Sequence, residues 1–385
     1  MGQKVLRMSR IVLVGAGFGG MVACHSLLRK LPGHHEILLI TENKPFYMKA
    51  AYPMIALGEL RLEDVALSVG EVFHRSRAQI ILDRVTHVDA DGSRVITERG
   101  VYPYDYLVLA VGVRYAFEKI PGFDRYGQSV KTPEQLLYLQ QSIRRWEGGR
   151  LLIGALENSC EGPGFEMSFK LHHALKRRQV LSRSEIHFFT DKPEIFQPGG
   201  PTAQAYVQKQ MKDRGIHTHA GVKLKELRHH VALFDNGLQI PADFVLVLPP
   251  YEAPQWIANS GLGGAQGYIA VDHGLRSRFF SNIYAVGDAI DWKGPKMAHN
   301  AMLGAKVVAH NLCYDIGLTT YRKSFHPEVV CVMDMGGRHA AYIEADTEWG
   351  GQRSRVPVSG STAKFMKESF IRYFLQTKGD VRYIL

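Results

Sequence analysis

Cysteine is scarce in this chain: four in 385 residues, at Cys24, Cys160, Cys313 and Cys331. So few, so widely spaced, exclude a disulfide scaffold, and without CxxC or a Cys/His cluster no metal site is expected. No apolar run reaches the ~18–20 residues of a spanning helix, which excludes an integral membrane protein but not one lying on a membrane. Tandem repeats, low-complexity tracts and runs of one charge are also missing. Hydrophobic residues at 45% and charged residues at 22%, with 38 Gly and 17 Pro, exclude a disordered, collagen-like or coiled-coil chain. The net charge is +10, from 47 Lys+Arg against 37 Asp+Glu. These positive residues are scattered and no nucleic-acid motif accompanies them, so the charge points to an anionic membrane surface or substrate, not to nucleic acid. The opening MGQKVLRMS is too short for a secretory leader, and the chain is expected to stay in the cytoplasm.

What is present begins at Arg10. The run RIVLV reads as a strand, GAGFGG as a turn, and MVACHSLLRKL as a helix. Gly15, Gly17 and Gly20 hold the three positions of GxGxxG. The first permits the tight turn, the second lets a pyrophosphate approach the backbone, and the third packs helix on strand. The helix N-terminus then offers free N–H groups and a positive dipole end. A second strand, EILLIT, ends at Glu42, the acidic residue expected at a ribose.

Two later segments have the same character. YDYLVLAVG runs to Gly112, and FSNIYAVGDAID carries Gly287 and Asp288 at its strand end. A helix is expected to start near Pro295, with Lys296 beside its first turn. Together with the opening turn they resemble the three fingerprints of two-dinucleotide-binding flavoproteins, which implies FAD, with Asp288 at the ribityl chain. Between them, GRLLIGA, EMSFKLHHALKRR, SEIHFFTDKPEIF and ADFVLVLPP read as a second βαβ unit. The expected division is a first FAD-binding part at 1–119, a second Rossmann-like unit at 120–250, a returning FAD-binding part at 251–320 and a tail at 321–385. The fold class is therefore α/β, a tandem Rossmann-like arrangement with a tail of strands and an amphipathic helix. In that helix Phe365, Phe370, Tyr373, Phe374 and Leu375 form an apolar face beside Lys364, Lys367, Arg372 and Lys378, a membrane-surface or core-docking element.

Cys24 and Cys313 read as small buried hydrophobes. Cys160 lies in a glycine-rich turn at a helix start, where a thiolate is favoured. With SCEGPGFE around it, CVMDMG around Cys331 and SFIRYFL near the end, the chain resembles the sulfide:quinone oxidoreductases. It is similar, at slightly greater distance, to the flavoprotein subunit of flavocytochrome c sulfide dehydrogenase. The resemblance implies a sulfur-exchanging pair, Cys160 and Cys331, with Glu166 handling protons. Sulfide is then the donor, and membrane quinone the acceptor near Phe370, Tyr373 and Phe374, with the protein peripheral on the cytoplasmic face. Lys131 stands where many relatives carry a third cysteine, and Gln197 where many carry histidine. A cytochrome acceptor, an NADH:quinone activity and a non-catalytic flavin-bound sensor are the competing readings. GALENSCEGPGFE replaces the second GxGxxG and opposes NADH. A homo-oligomer stays open.

Overall fold

The RIVLV run forms β1 (Arg10–Val14), four of whose five residues are buried. A parallel strand covered on both faces needs such a continuous apolar stretch. The structure is a computed structural model describing residues 8–42, 44–264 and 266–382. The leader expectation at 1–7 and the last three residues of the tail lie outside the described residues. After β1 come α1 (Phe18–Lys30), β2 (Glu36–Thr41), β3 (Gln79–Leu82) and β4 (Tyr106–Leu109). The chain then passes through β5 (Gly127–Gln128), β6 (Gly149–Ala155), α2 (Gly162–Arg177) and β7 (Ser184–Thr190). Next are α3 (Gly200–Asp213), β8 (His217–His219) and β9 (Phe244–Leu248). It returns through β10 (Ile283–Ala285) and α4 (Ala298–Ile316). The tail holds β11 (Val329–Asp334), β12 (Ala340–Ala345), β13 (Ser354–Gly360) and α5 (Ser361–Gln376).

Two five-stranded parallel sheets carry the molecule, ordered β10-β4-β1-β2-β3 and β5-β9-β6-β7-β8. Each puts its opening long strand, β1 or β6, between its successor and a later strand. That is the Rossmann plan used twice, and each central strand ends at the switch point where such sheets bind ligands. The helix expected from Pro295 instead begins at Ala298, because Met297 before it is extended (φ −137°, ψ 144°).

The tail is an antiparallel sheet, β11-β12-β13, with α5 packed against it. Ile371 and Phe374 of α5 are buried in the main core. The Phe374 ring lies 5.1 Å from Phe18 of α1 and 5.2 Å from Phe46. Burying such a side chain contributes about 1.5–3 kcal/mol, so α5 is held by the core on that face.

Candidate functional site

Gly15 ends β1 with φ +94°, and a Cβ there would come within 2.5 Å of the Ala110 carbonyl oxygen. At Gly20 a Cβ would meet the Gly15 carbonyl oxygen at 1.8 Å, so both positions require glycine. Gly17 is the contrast, because a Cβ there would meet nothing within 4 Å. The space above it is open to a ligand. Helix α1 has neither a side-chain cap nor an acidic residue in its first turn. Its first amides are thus left for an anion. Gly15, Gly17, Glu42, Gly112 and Asp288 line one cleft of about 650 Å³. The open turn, the uncapped amides and the acid at the end of β2 fit the pyrophosphate and ribose of a dinucleotide.

Asp288 sits where the fingerprints place it, beyond β10. Burial pushes its carboxyl up, while Lys296, Lys49 and Lys131 act in the opposite direction. Lys296 donates to the Ile290 carbonyl at 2.7 Å and lies 3.9 Å over the Tyr268 ring. Burial brings its ammonium down to about 8. Lys49 donates to the Tyr115 hydroxyl at 2.9 Å. Three lysines around one carboxyl leave this end of the cleft with excess positive charge.

The second unit brings Cys160 to the same place. It precedes α2, whose N-cap is Glu161, and Cys331 lies on β11 of the tail. Both are free thiols, half-buried, and close enough to influence each other's charge. The expectation of a favoured thiolate at Cys160 is corrected: burial pushes this thiol up. Lys131 and the Gly162 N–H oppose that rise only in part. Burial and the Glu166 carboxylate push Cys331 up to about 12. Cys24 is in the core and burial pushes it up to about 12 too, whereas Cys313 is also buried.

Glu166, on the first turns of α2, pairs with Lys367 of α5, both buried. Nearby, Lys170 donates to Glu59 at 2.8 Å and to Asp334 at 2.7 Å. Lys364 also pairs with Asp334. Lys364 and Lys367, read from the sequence as part of a basic outer face, therefore turn inward. Phe370 and Tyr373 are half-buried and Phe374 is buried. A groove of about 480 Å³ does run along α5, but Met54, Leu60, Val65, Ile371 and Leu375 give it its apolar wall. Lys49 and Tyr251 are site residues that the sequence did not signal, Lys367 was read as outward-facing, and Lys131 was singled out through the resemblance alone.

The family described as pyridine nucleotide-disulphide oxidoreductase matches residues 9–305. The chain belongs to that family. It is a flavoprotein-type oxidoreductase, and its relatives within the family narrow the comparison. It is 26% identical to a sulfide-quinone reductase of Aquifex aeolicus over 389 residues, covering 95% of this chain and 90% of that protein. A solved structure of the sulfide:quinone oxidoreductase from the same bacterium superposes with a TM-score of 0.91 at 25% identity, covering 97% of this chain and 93% of that one. An NADH dehydrogenase-like protein of Mycobacterium tuberculosis is also 26% identical, over 94% of this chain and 93% of its own length.

Proposed function

We propose that the chain oxidises sulfide to sulfur or polysulfide through Cys160 and Cys331, holds FAD in the cleft at Gly15, and passes electrons to quinone. One observation carries this reading: thiols from two separate units come within electrostatic reach of each other, and Cys160 also comes within reach of Asp288. Bound there, FAD would supply a two-electron acceptor. Hydrosulfide attacking a Cys160–Cys331 disulfide forms a persulfide on one cysteine and releases the other as thiolate. The surplus ammonium charge at Lys49, Lys131 and Lys296 favours these anions. Glu166 would exchange the proton near Cys331, and its influence on that thiol and its pairing with Lys367 support the role. The groove along α5 supports quinone access from that side, because Met54, Leu60, Val65, Ile371 and Leu375 give it an aliphatic strip between charged residues that include Glu59, Asp64, Arg177 and Arg372.

The NADH reading is favoured by the mycobacterial relative and opposed by the GALENSCEGPGFE turn, which replaces a second GxGxxG. Glu157 and Asp191 face each other at the mouth of the second unit, in a cleft of about 470 Å³. Lys223 lies 4.0 Å from Glu157 and Lys192 faces Asp191, so the two carboxylates are already matched by cations. Sulfide added anaerobically should bleach the visible absorbance of the bound flavin within a turnover, and NADH should not. Bleaching by NADH with none by sulfide would reverse the assignment.

A further inference from the structure

Lys131 is the odd one among the buried cations. It is 8% exposed, like Lys170 at 2% and Lys367 at 5%. Those two face carboxylates, Glu59 and Asp334 for the first and Glu166 for the second. Among the described residues the Lys131 ammonium makes no hydrogen bond and no ion pair. Its Nζ lies over the Tyr251 ring, 5.1 Å from the ring centre. A buried ammonium with no ion pair and only a shared carboxylate within reach is costly, so its position calls for a further anion. The backbone fixes it there: Ser129 and Val130 are buried, and the Thr132 hydroxyl caps the next helix by accepting from the Gln135 N–H at 3.3 Å.

The charged and titratable groups around Lys131 are Cys160, Lys49, Asp288 and the Tyr251 phenol. Asp288 is shared among Lys296, Lys49 and Lys131, and Lys296 also faces Asp291, so Lys49 and Lys131 have one shared carboxylate between them. Cys160 is the remaining group that can become an anion. Around that thiol, Lys131 is the strongest influence toward the thiolate, ahead of the Gly162 N–H and Lys192, with Asp288 acting against it. The Tyr251 phenol lies within electrostatic reach of Cys160, so the ring that Lys131 faces borders this thiol, and Cys331 is the other thiol that Cys160 influences. Glu161 turns away, bonding Thr190 and facing Lys192 at 3.5 Å.

We propose that the Lys131 ammonium is the counter-ion of a sulfur anion on Cys160. Its partner on the other side of the site, Cys331, faces the Glu166 carboxylate instead, so the arrangement orders the two thiols. Burial lowers the Lys131 ammonium to about 8, and a thiolate beside it raises it again, so the two groups titrate as a pair. Lys131 is a positioning residue that acts through Cys160. The inference deepens the sulfide reading above and rests on it for the sulfur chemistry, but its test needs no sulfide.

The test follows the thiolate itself. Enzyme carrying FAD is first reduced at its cysteines, and alkylation by iodoacetamide is then measured against pH, peptide by peptide. In the natural protein the Cys160 midpoint lies below that of Cys331. Lys131→Met raises the Cys160 midpoint by about one pH unit or more, the size expected when a near opposite charge is lost. Lys131→Arg keeps it close to the starting value. An unchanged midpoint in Lys131→Met overturns the proposal. So does a natural protein in which Cys331 ionises first, a readout that needs no variant to fold. Flavin bleaching by sulfide is scored separately. If it is absent while the Cys160 midpoint still depends on Lys131, the sulfide reading fails and the counter-ion stands.

Discussion

Burial first and the Glu166 carboxylate second push the Cys331 thiol up to about 12, while Lys131 restrains the rise at Cys160. A nucleophile that must leave and return as a thiolate is better placed at Cys160, and a sulfur that stays protonated or bonded is better placed at Cys331. Both are needed if sulfur is exchanged between them. Cys160→Ser and Cys331→Ser should each bring sulfide-driven flavin bleaching to background, while the bound flavin spectrum is retained. Cys24→Ser should keep bleaching and lose stability only, by about 1–3 kcal/mol, because it leaves a hydroxyl in a core without a partner. Stopped-flow bleaching and a melting curve on each variant separate the two effects. Normal bleaching in both variants of the pair would remove the relay.

At the scale of elements, what the sequence discloses depends on whether a signal is local. The turn at Gly15–Gly20 and the strands around it are set by periodicity and glycine geometry within about a dozen residues, and they appear where expected. The cysteine pair was legible only through resemblance, since 171 positions separate its members and no local pattern joins them. Lys131 was legible only through resemblance, as the residue in place of a third cysteine, and the burial of Lys170 and Lys367 was not legible, because lysine is by default a surface residue and the anions that draw it inward come from other elements. The amphipathic pattern of α5 showed an apolar stripe but not what covers it. It is covered by Phe18, Phe46 and the Glu166–Lys367 pair, which ties the tail to α2. Removing one member of such a buried pair strands the other, at a cost of about 3–5 kcal/mol. Lys367→Met should lose that much in urea unfolding, and Lys367→Met with Glu166→Leu should recover most of it. Additive losses in the double variant would show that the pair does not hold α5.

Across the whole molecule, the inward turn of Lys364 and Lys367 changes what the surface can do. Of the four basic residues expected beside the apolar face of α5, Arg372 and Lys378 remain exposed. Basic residues near an anionic leaflet contribute about 1 kcal/mol each, so the tail alone offers about 2 kcal/mol rather than about 4. Phe365, 65% exposed, is the large apolar side chain that α5 leaves outside. No helix among the described residues is long and apolar enough to cross a membrane. Attachment to a membrane, if the quinone reading holds, therefore rests on Phe365, these two cations and the overall charge of +10. Such attachment is weak and governed by salt, since screening shortens from ~10 Å at 0.1 M to ~3 Å at 1 M. The full-length protein should float with anionic vesicles at low salt and be released at 1 M salt, roughly the limit of that screening. Phe365→Asp should weaken flotation at low salt without lowering the melting temperature, because that side chain supports no core contact. Truncation after Lys364 should instead lower the melting temperature sharply, because it uncovers Phe18 and Phe46. Sulfide should still bleach the flavin in Phe365→Asp, since both thiols lie on other elements. Absence of flotation at low salt, or flotation that salt leaves unchanged, would remove the charge-driven membrane contact from the reading.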